Sequence, residues 1–281
     1  MKILVTGATG FIGRHIINEL LKSDHEIIIA ARNKGAATNL PGNIKTLELD
    51  LDNVKAGRNY FIESGEPDVL IHLAWQGLPN YKQSFHVDKN FPLHSAFLNN
   101  MITAGLQNLV VTGTCFEYGM KEGCLSEEME SDPQNPYALA KDKLRIFLEE
   151  LQKEIPFTLK WVRLFYMYGE GQNPNSLLSQ LEAALQRGDT VFNMSGGEQL
   201  RDYLSVETVA RYIVSIALQN NITGIINCCS GKPIKVKDLV KKFLNDMDKK
   251  IELNLGYYPY PDYEAMDFWG NTSKLKRIIN D

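Results

Sequence analysis

"TGATGFIG", residues 6–13, decides how the rest of the chain is read. Glycine stands at 7, 10 and 13, directly after the apolar run "KILV". The segment "FIGRHIINELL" follows, and in it Phe11, Ile12, Ile16, Ile17, Leu20 and Leu21 share one helical face. A strand, a glycine turn and a helix in that order bring backbone without Cβ to the unpaired N–H groups of a helix start, which suits a pyrophosphate. The spacing is G-x-x-G-x-x-G, one residue longer at its front than the usual dinucleotide fingerprint. The groups expected to face the cofactor here are Gly7, Thr9, Gly10, Phe11, Ile12 and Gly13.

Outward from that turn, strand and helix alternate. "HEIIIAA", "KTLELD", "DVLIHLA" and "LQNLVVTG" read as buried strands, with helices expected within 82–105 and from Pro136 to about Lys153. This rhythm predicts an α/β protein, a doubly wound parallel sheet covered on both faces. After "FTLKWVRLF" it loosens. Helical patterns recur at about 176–187 and 206–219, and "GIINCC" reads as a late strand. The expected division is a nucleotide-binding domain of residues 1–169 with about 195–230. A smaller, discontinuous substrate lobe would hold about 170–194 with 231–281. The tail "YYPYPDYEAMDFWGN" is too aromatic for a linker and is expected to pack.

Composition narrows the classes. The chain has 281 residues, 44% hydrophobic and 23% charged, with net charge −4. It shows no basic footprint for nucleic acid and no apolar run long enough for a membrane helix. "MKILVTGATG" reaches glycine too early for a signal peptide. Cys115, Cys124, Cys228 and Cys229 fit no zinc spacing, so no metal site is expected and reduced thiols in a cytoplasmic setting are the reading.

The end of the second strand selects the dinucleotide. An acid there would hold a free ribose 2′-hydroxyl, whereas an arginine pairs with a 2′-phosphate. "AARNK" offers Arg32 and Lys34 and no carboxylate, which favours NADP over NAD. Asp50 and Leu51 follow the third strand, Asp50 being placed to meet the adenine amino group. Leu73 and Ala74 end the fourth strand beside the cofactor. His72 before them is expected to be packed and not to serve as a base.

"PYALAK" sets Tyr137 and Lys141 four apart on a helix opened by Pro136, so the two side chains share a face. A nearby ammonium and an oxidised nicotinamide would both favour phenolate, which makes Tyr137 the candidate acid/base.

On these segments the chain resembles the extended short-chain dehydrogenase/reductase family, in its nucleotide-sugar-modifying branch. "TGATGFIG" is similar to that family's cofactor loop, "TGTCFEYG" (112–119) to its serine/threonine segment and "PYALAK" to its Tyr-x-x-x-Lys helix. "VRLFYMYGEGQNP", "RDYLSVETVA" and "IINCCSGKPIKVKDLV" resemble later segments. The resemblance implies Thr114 as the substrate-facing hydroxyl, Tyr137 as acid/base and Lys141 as the group that tunes it and holds the nicotinamide ribose. It implies Asn90 as a support behind the site and Arg201 as the diphosphate contact, with a pair to Asp202 or another acid as the alternative.

The family's 4,6-dehydratases carry Asp and Glu after the threonine. Here Cys115 and Phe116 stand there, which argues against dehydration. Tyr166 replaces the epimerase branch's asparagine, a departure shared with 4-ketoreductases that make deoxysugars. The implied activity is NADPH-dependent reduction of the C4 ketone of a dTDP- or CDP-linked 4-keto-6-deoxyhexose, in surface-polysaccharide synthesis. Trp75, Gln76 and Tyr81 in "AWQGLPNY" are candidate sugar contacts or, alternatively, loop packing. An epimerase without net redox and a non-catalytic NADP-binding regulator are the rival readings. The family further implies a homodimer built on the 82–105 and 136–153 helices.

Overall fold

The computed structural model describes residues 1–32, 35, 40, 44–55 and 57–279. Seven strands form the main sheet: β1 (Lys2–Thr6), β2 (Glu26–Ala31), β3 (Lys45–Glu48), β4 (Val69–His72), β5 (Asn108–Thr114), β6 (Thr158–Leu164) and β7 (Gly224–Cys228). Their order is β7-β6-β5-β4-β1-β2-β3, and every neighbouring pair is parallel. The chain leaves β1 in one direction through β2 and β3, then returns to lay β4 on the other side of β1. That reversal opens a crevice at the carboxyl ends of β1 and β4, where doubly wound sheets bind ligands. The predicted fold class is the observed one.

The strands are apolar because both faces are covered. On one face α1 (Phe11–Leu20), α5 (Val206–Leu218) and α7 (Ser273–Ile279) pack Ile16, Ile17, Leu20, Ile213, Ile216 and Leu275 against Val5, Ile29 and Val110. On the other, α2 (Phe91–Thr103) and α3 (Pro136–Glu154) pack Phe97, Leu98, Met101, Leu144 and Leu148 against Leu4, Leu70, Val111 and Trp161. Each fully buried aliphatic side chain stabilises the fold by about 1.5–3 kcal/mol.

Two smaller clusters sit at the carboxyl edge. One joins α4 (Leu177–Arg187) to α6 (Val236–Asp246) through Leu178, Leu181, Phe192, Leu239 and Leu244. The other gathers Cys115, Tyr118, Phe165, Ala265 and Phe268. The aromatic tail is tied in by a parallel pairing of Phe268–Gly270 with Gly123–Leu125. No described helix is long and apolar enough to cross a membrane.

One expectation shifts. The helix expected within 82–105 is regular only over α2, with Pro92 in its first turn and a one-turn π-helical segment, His86–Asn90, before it. Such wide turns recur at functional sites because they re-aim side chains.

Candidate active site

At the cofactor turn the three glycines have different work. Gly7 has φ +73°, and a Cβ there would stand 2.8 Å from the Ala74 amide nitrogen; one on Gly13 would stand 2.2 Å from the Gly7 oxygen. Both are fixed by close packing of strand, turn and helix. Gly10 is exposed, and a Cβ on it would meet only the Gly7 oxygen, at 3.2 Å. It caps α1 with no side-chain hydrogen bond to the helix's first amides. The start of α1 therefore presents unpaired donors across open space, a seat suited to phosphate.

Around this seat, Thr9 lends its carbonyl to Arg14 at 3.0 Å, while Phe11 meets His15 edge-on and Ile12 packs partly against the sheet. The Leu73 and Ala74 amides bond Thr6, at 3.2 and 3.3 Å, which locks the end of β4 beside Gly7. Asp50 accepts from the Asp52 amide at 3.2 Å and caps a short turn in which Leu51 is buried. Arg32 is exposed just past β2; Lys34 lies outside the described residues.

Thr114 ends β5. Its hydroxyl accepts from the Phe116 amide at 3.3 Å, and Glu117 reaches back to accept from the Thr114 amide at 2.8 Å, a reciprocal capping box. Glu117 is fully buried and takes the Trp161 indole N–H at 3.0 Å and Arg163 Nε at 2.7 Å. Burial raises this carboxyl above its ordinary range, against the pull of Arg163. Because all three neighbours donate and none accepts, the carboxylate is the ionised form. Gly113 makes room for it, since a Cβ there would lie 2.2 Å from Trp161 Nε1 and 2.5 Å from Glu117 Oε1.

On α3 the Asn135 side chain caps the Ala138 amide at 2.9 Å, so Tyr137 and Lys141 enter on the buried face. Tyr137 is 8% exposed, with its ring 5.5 Å from that of Tyr81 and 5.4 Å from that of His86. Burial pushes its phenol above 10, while the Thr114 hydroxyl beside it pulls the other way. Lys141 Nζ donates to the Thr112 carbonyl at 2.9 Å, and burial brings the ammonium down to about 7, opposed by Glu117. Without a bound cofactor, desolvation is the largest influence on both groups, raising the phenol and lowering the ammonium.

Several candidate contacts are already engaged. The Gln76 side-chain oxygen accepts from His94 at 2.9 Å and its backbone oxygen from Asn90 at 3.0 Å, so Asn90 supports the 74–81 loop. Trp75, half-buried, lies against His94 and under Lys141. His72 is buried between Thr6 and His94 and is lowered to about 3 by desolvation, which removes it as a base. Tyr81 packs against Phe116 and Tyr263, its hydroxyl pushed up to about 12 by burial.

Arg201 is engaged as well. It is 3% exposed, donates to the Leu200 and Met266 carbonyls at 2.8 and 2.7 Å, and pairs with Glu264 at 3.2 Å. The Tyr166 hydroxyl donates to the same carboxylate. Asp202, one of the acids named in the alternative reading of Arg201, accepts the Ser230, Gly231 and Gly270 amides. In the absence of substrate, Arg201 thus has a carboxylate of the tail as its partner, the other acid of the alternative reading. Glu264 escaped the sequence reading; it is one of three acids, with Asp262 and Asp267, in the aromatic tail, and nothing local sets it apart.

A doubly wound parallel sheet with an open glycine turn at its switch point, and a hydroxyl, a phenol and a lysine at the end of β5, defines a Rossmann-type nucleotide-binding protein. The chain belongs to the NAD dependent epimerase/dehydratase family, whose model matches residues 3–229. It is 29% identical over 272 residues to a dTDP-6-deoxy-L-talose 4-dehydrogenase (NAD(+)) of Aggregatibacter actinomycetemcomitans, covering 96% of this chain and 99% of that one. It is 26% identical over 283 residues to a UDP-glucose 4-epimerase of Neisseria meningitidis serogroup C, covering 86% and 81%. Among solved structures, a UDP-glucuronic acid 4-epimerase from Bacillus cereus, in complex with UDP-glucuronic acid and NAD, superposes with TM-score 0.84 at 23% identity, covering 100% and 93%.

Proposed function

We propose that this chain reduces the C4 ketone of a nucleotide-linked 4-keto-6-deoxyhexose. The observation that carries the reading is the buried Tyr137 phenol, raised by desolvation, beside the Thr114 hydroxyl at the end of β5, with Cys115 and Phe116 in the two positions after the threonine. A reductase needs an acid that still holds its proton; a dehydratase needs carboxylates that are absent there. Gly7, Gly10 and the first amides of α1 would hold a dinucleotide, which would supply the hydride for C4. Tyr137 then gives its phenolic proton to the developing alkoxide, Thr114 donates a hydrogen bond to the same oxygen, and Lys141 stabilises the phenolate left behind. The printed activity of the 29%-identical relative, at C4 of a dTDP-linked 6-deoxyhexose, supports this substrate class.

NADPH is the proposed reductant, because Arg32 is exposed after β2 and "AARNK" carries no acid; the relative's name specifies NAD(+), so the two cofactors are compared directly. Residues 170–194 and 231–281 form the proposed substrate lobe, and the exposed Leu139 and Ile146 of α3, two turns apart, the proposed homodimer face. The buried thiols of Cys115, Cys228 and Cys229 suit the proposed cytoplasmic setting.

The test follows absorbance at 340 nm with NADPH and NADH against dTDP-, CDP- and GDP-linked 4-keto-6-deoxyhexoses. Stoichiometric consumption with one of them, faster with NADPH, is expected. The epimerase relative supports a second reading, in which the sugar rearranges with no net consumption; that outcome would overturn the first.

A separate expectation concerns Gly10. Gly10→Ala places a methyl in the phosphate seat but meets only one backbone oxygen inside the fold. NADPH affinity by fluorescence titration should fall about tenfold or more, equivalent to at least about 1.4 kcal/mol, with little change in thermal stability. An unchanged affinity would show that the phosphate lies elsewhere.

A further inference from the structure

Two histidines, His86 and His94, flank one indole, and His72 stands behind His94. Trp75 lies nearly flat on His94, ring centroids 4.6 Å apart and planes 20° from parallel. Its Nε1 donates to His86 Nδ1 at 3.1 Å, and the other nitrogen of His86 reaches the Asn80 carbonyl at 3.1 Å. Behind His94 the bonds run in one direction. Its Nε2 donates to Gln76 Oε1 at 2.9 Å, which leaves Nδ1 to accept from His72 Nε2 at 2.7 Å. His72 Nδ1 is then left to accept from the Thr6 hydroxyl at 2.9 Å. Each imidazole has one donor and one acceptor, and each is used. Desolvation disfavours a proton on His72 or His94, so both rings of the chain are neutral.

This chain ends under a cation. Lys141 Nζ stands 4.0 Å from the centroid of the Trp75 ring. Lys141 is 1% exposed and makes one hydrogen bond among the described residues, to the Thr112 carbonyl. An ammonium has three donors, and leaving two unanswered in a dry site is unfavourable. Glu117 is the charged group that acts on it with opposite sign; His72, His86 and His94 face it as neutral rings, and Tyr137 precedes it by one turn of α3. The negative face of an indole supplies what is missing, and more strongly when water is excluded.

We propose that Trp75 is a positioning residue: its indole face, oriented by His86 and by the Thr6–His72–His94–Gln76 chain, holds the Lys141 ammonium in place and in charge. The contact does not depend on which ketone is reduced; its consequence for rate rests on the reading above. Removing the indole disfavours the charged form of Lys141, so its titration midpoint falls.

The experiment uses the full chain labelled with 13C at lysine Cε, followed by NMR from mildly acidic to alkaline pH, with Lys141→Arg to assign the signal. Trp75→Leu is expected to lower the Lys141 midpoint by about one pH unit, and Trp75→Phe, which keeps a weaker π face, by less. In the 340 nm assay, the alkaline limb of kcat should move down with it while KM for the sugar holds. An unmoved midpoint in folded Trp75→Leu overturns the proposal, as does a raised sugar KM with the midpoint in place, which would make Trp75 a sugar contact. Should Trp75→Leu not fold, Trp75→Phe decides alone, since an unmoved midpoint there is equally fatal. A shifted midpoint in a protein that reduces no ketone would sink the reaction reading and leave this contact standing.

Discussion

Tyr137→Phe is expected to slow ketone reduction by about 10²–10⁴-fold, the usual contribution of a positioned general acid. The substitution removes one oxygen from a side chain that is 8% exposed and otherwise held by rings, so Phe keeps the packing against Tyr81, His86 and Trp75. NADPH affinity should stay within about threefold, because the seat at Gly10 is formed by a different element, a difference of less than about 1 kcal/mol. The measurement is kcat by stopped-flow or steady-state absorbance beside a cofactor titration. A variant with undiminished kcat would remove Tyr137 from the reaction. The pH profile adds a second check. Burial holds the phenol above 10, so the free protein loses no acid through the neutral range, and a limb near 7 belongs to Lys141.

Glu117→Gln carries the largest expected effect on stability. The substitution leaves the Arg163 guanidinium buried at 1% exposure without its carboxylate, and removing one partner of such a pair costs about 3–5 kcal/mol. In a chain of this size that is a fall of roughly 10 °C in Tm. The same substitution weakens the acceptor that holds the Thr114 amide and the Trp161 indole, so kcat measured well below the transition should fall too. Adding Arg163→Met should recover much of the lost stability, since an apolar replacement of both charges is often neutral. A single variant with unchanged Tm would show that the pair contributes nothing to the folded state.

What the sequence made legible follows a physical division. Strands such as "HEIIIAA" and "DVLIHLA" are apolar throughout because both sheet faces are covered, so periodicity alone located β2 and β4. Pro136 after Asn135 marked the start of α3, since a capping side chain and a fixed φ act within a few residues. Tyr137 and Lys141 were legible as a pair through their spacing on α3, whereas Thr114 entered through the resemblance of "TGTCFEYG" to the family's serine/threonine segment. Glu264 was not, because its partners Arg201 and Tyr166 lie on other strands and no local pattern announces a long-range ion pair. The same holds for the histidine chain. His72 and His94 bond through their ring nitrogens only once β4 and α2 are side by side, and no periodic signal encodes that. The fate of Gln76 and Trp75 was lost for the same reason, since a loop residue's direction depends on what it packs against.

The Tyr137 amide, in the first turn of α3, donates to the carbonyl of Tyr81 at 3.1 Å. The loop whose ring leans over the phenol therefore also completes the hydrogen bonding of the helix that carries it. Cover and helix start move as one unit: lifting residue 81 away from the phenol leaves a helix amide unpaired, at a cost of about 1 kcal/mol. Access to the reacting groups and order in the first turn of α3 are thus thermodynamically linked, and amide hydrogen exchange at Tyr137 reads out how often the cleft opens.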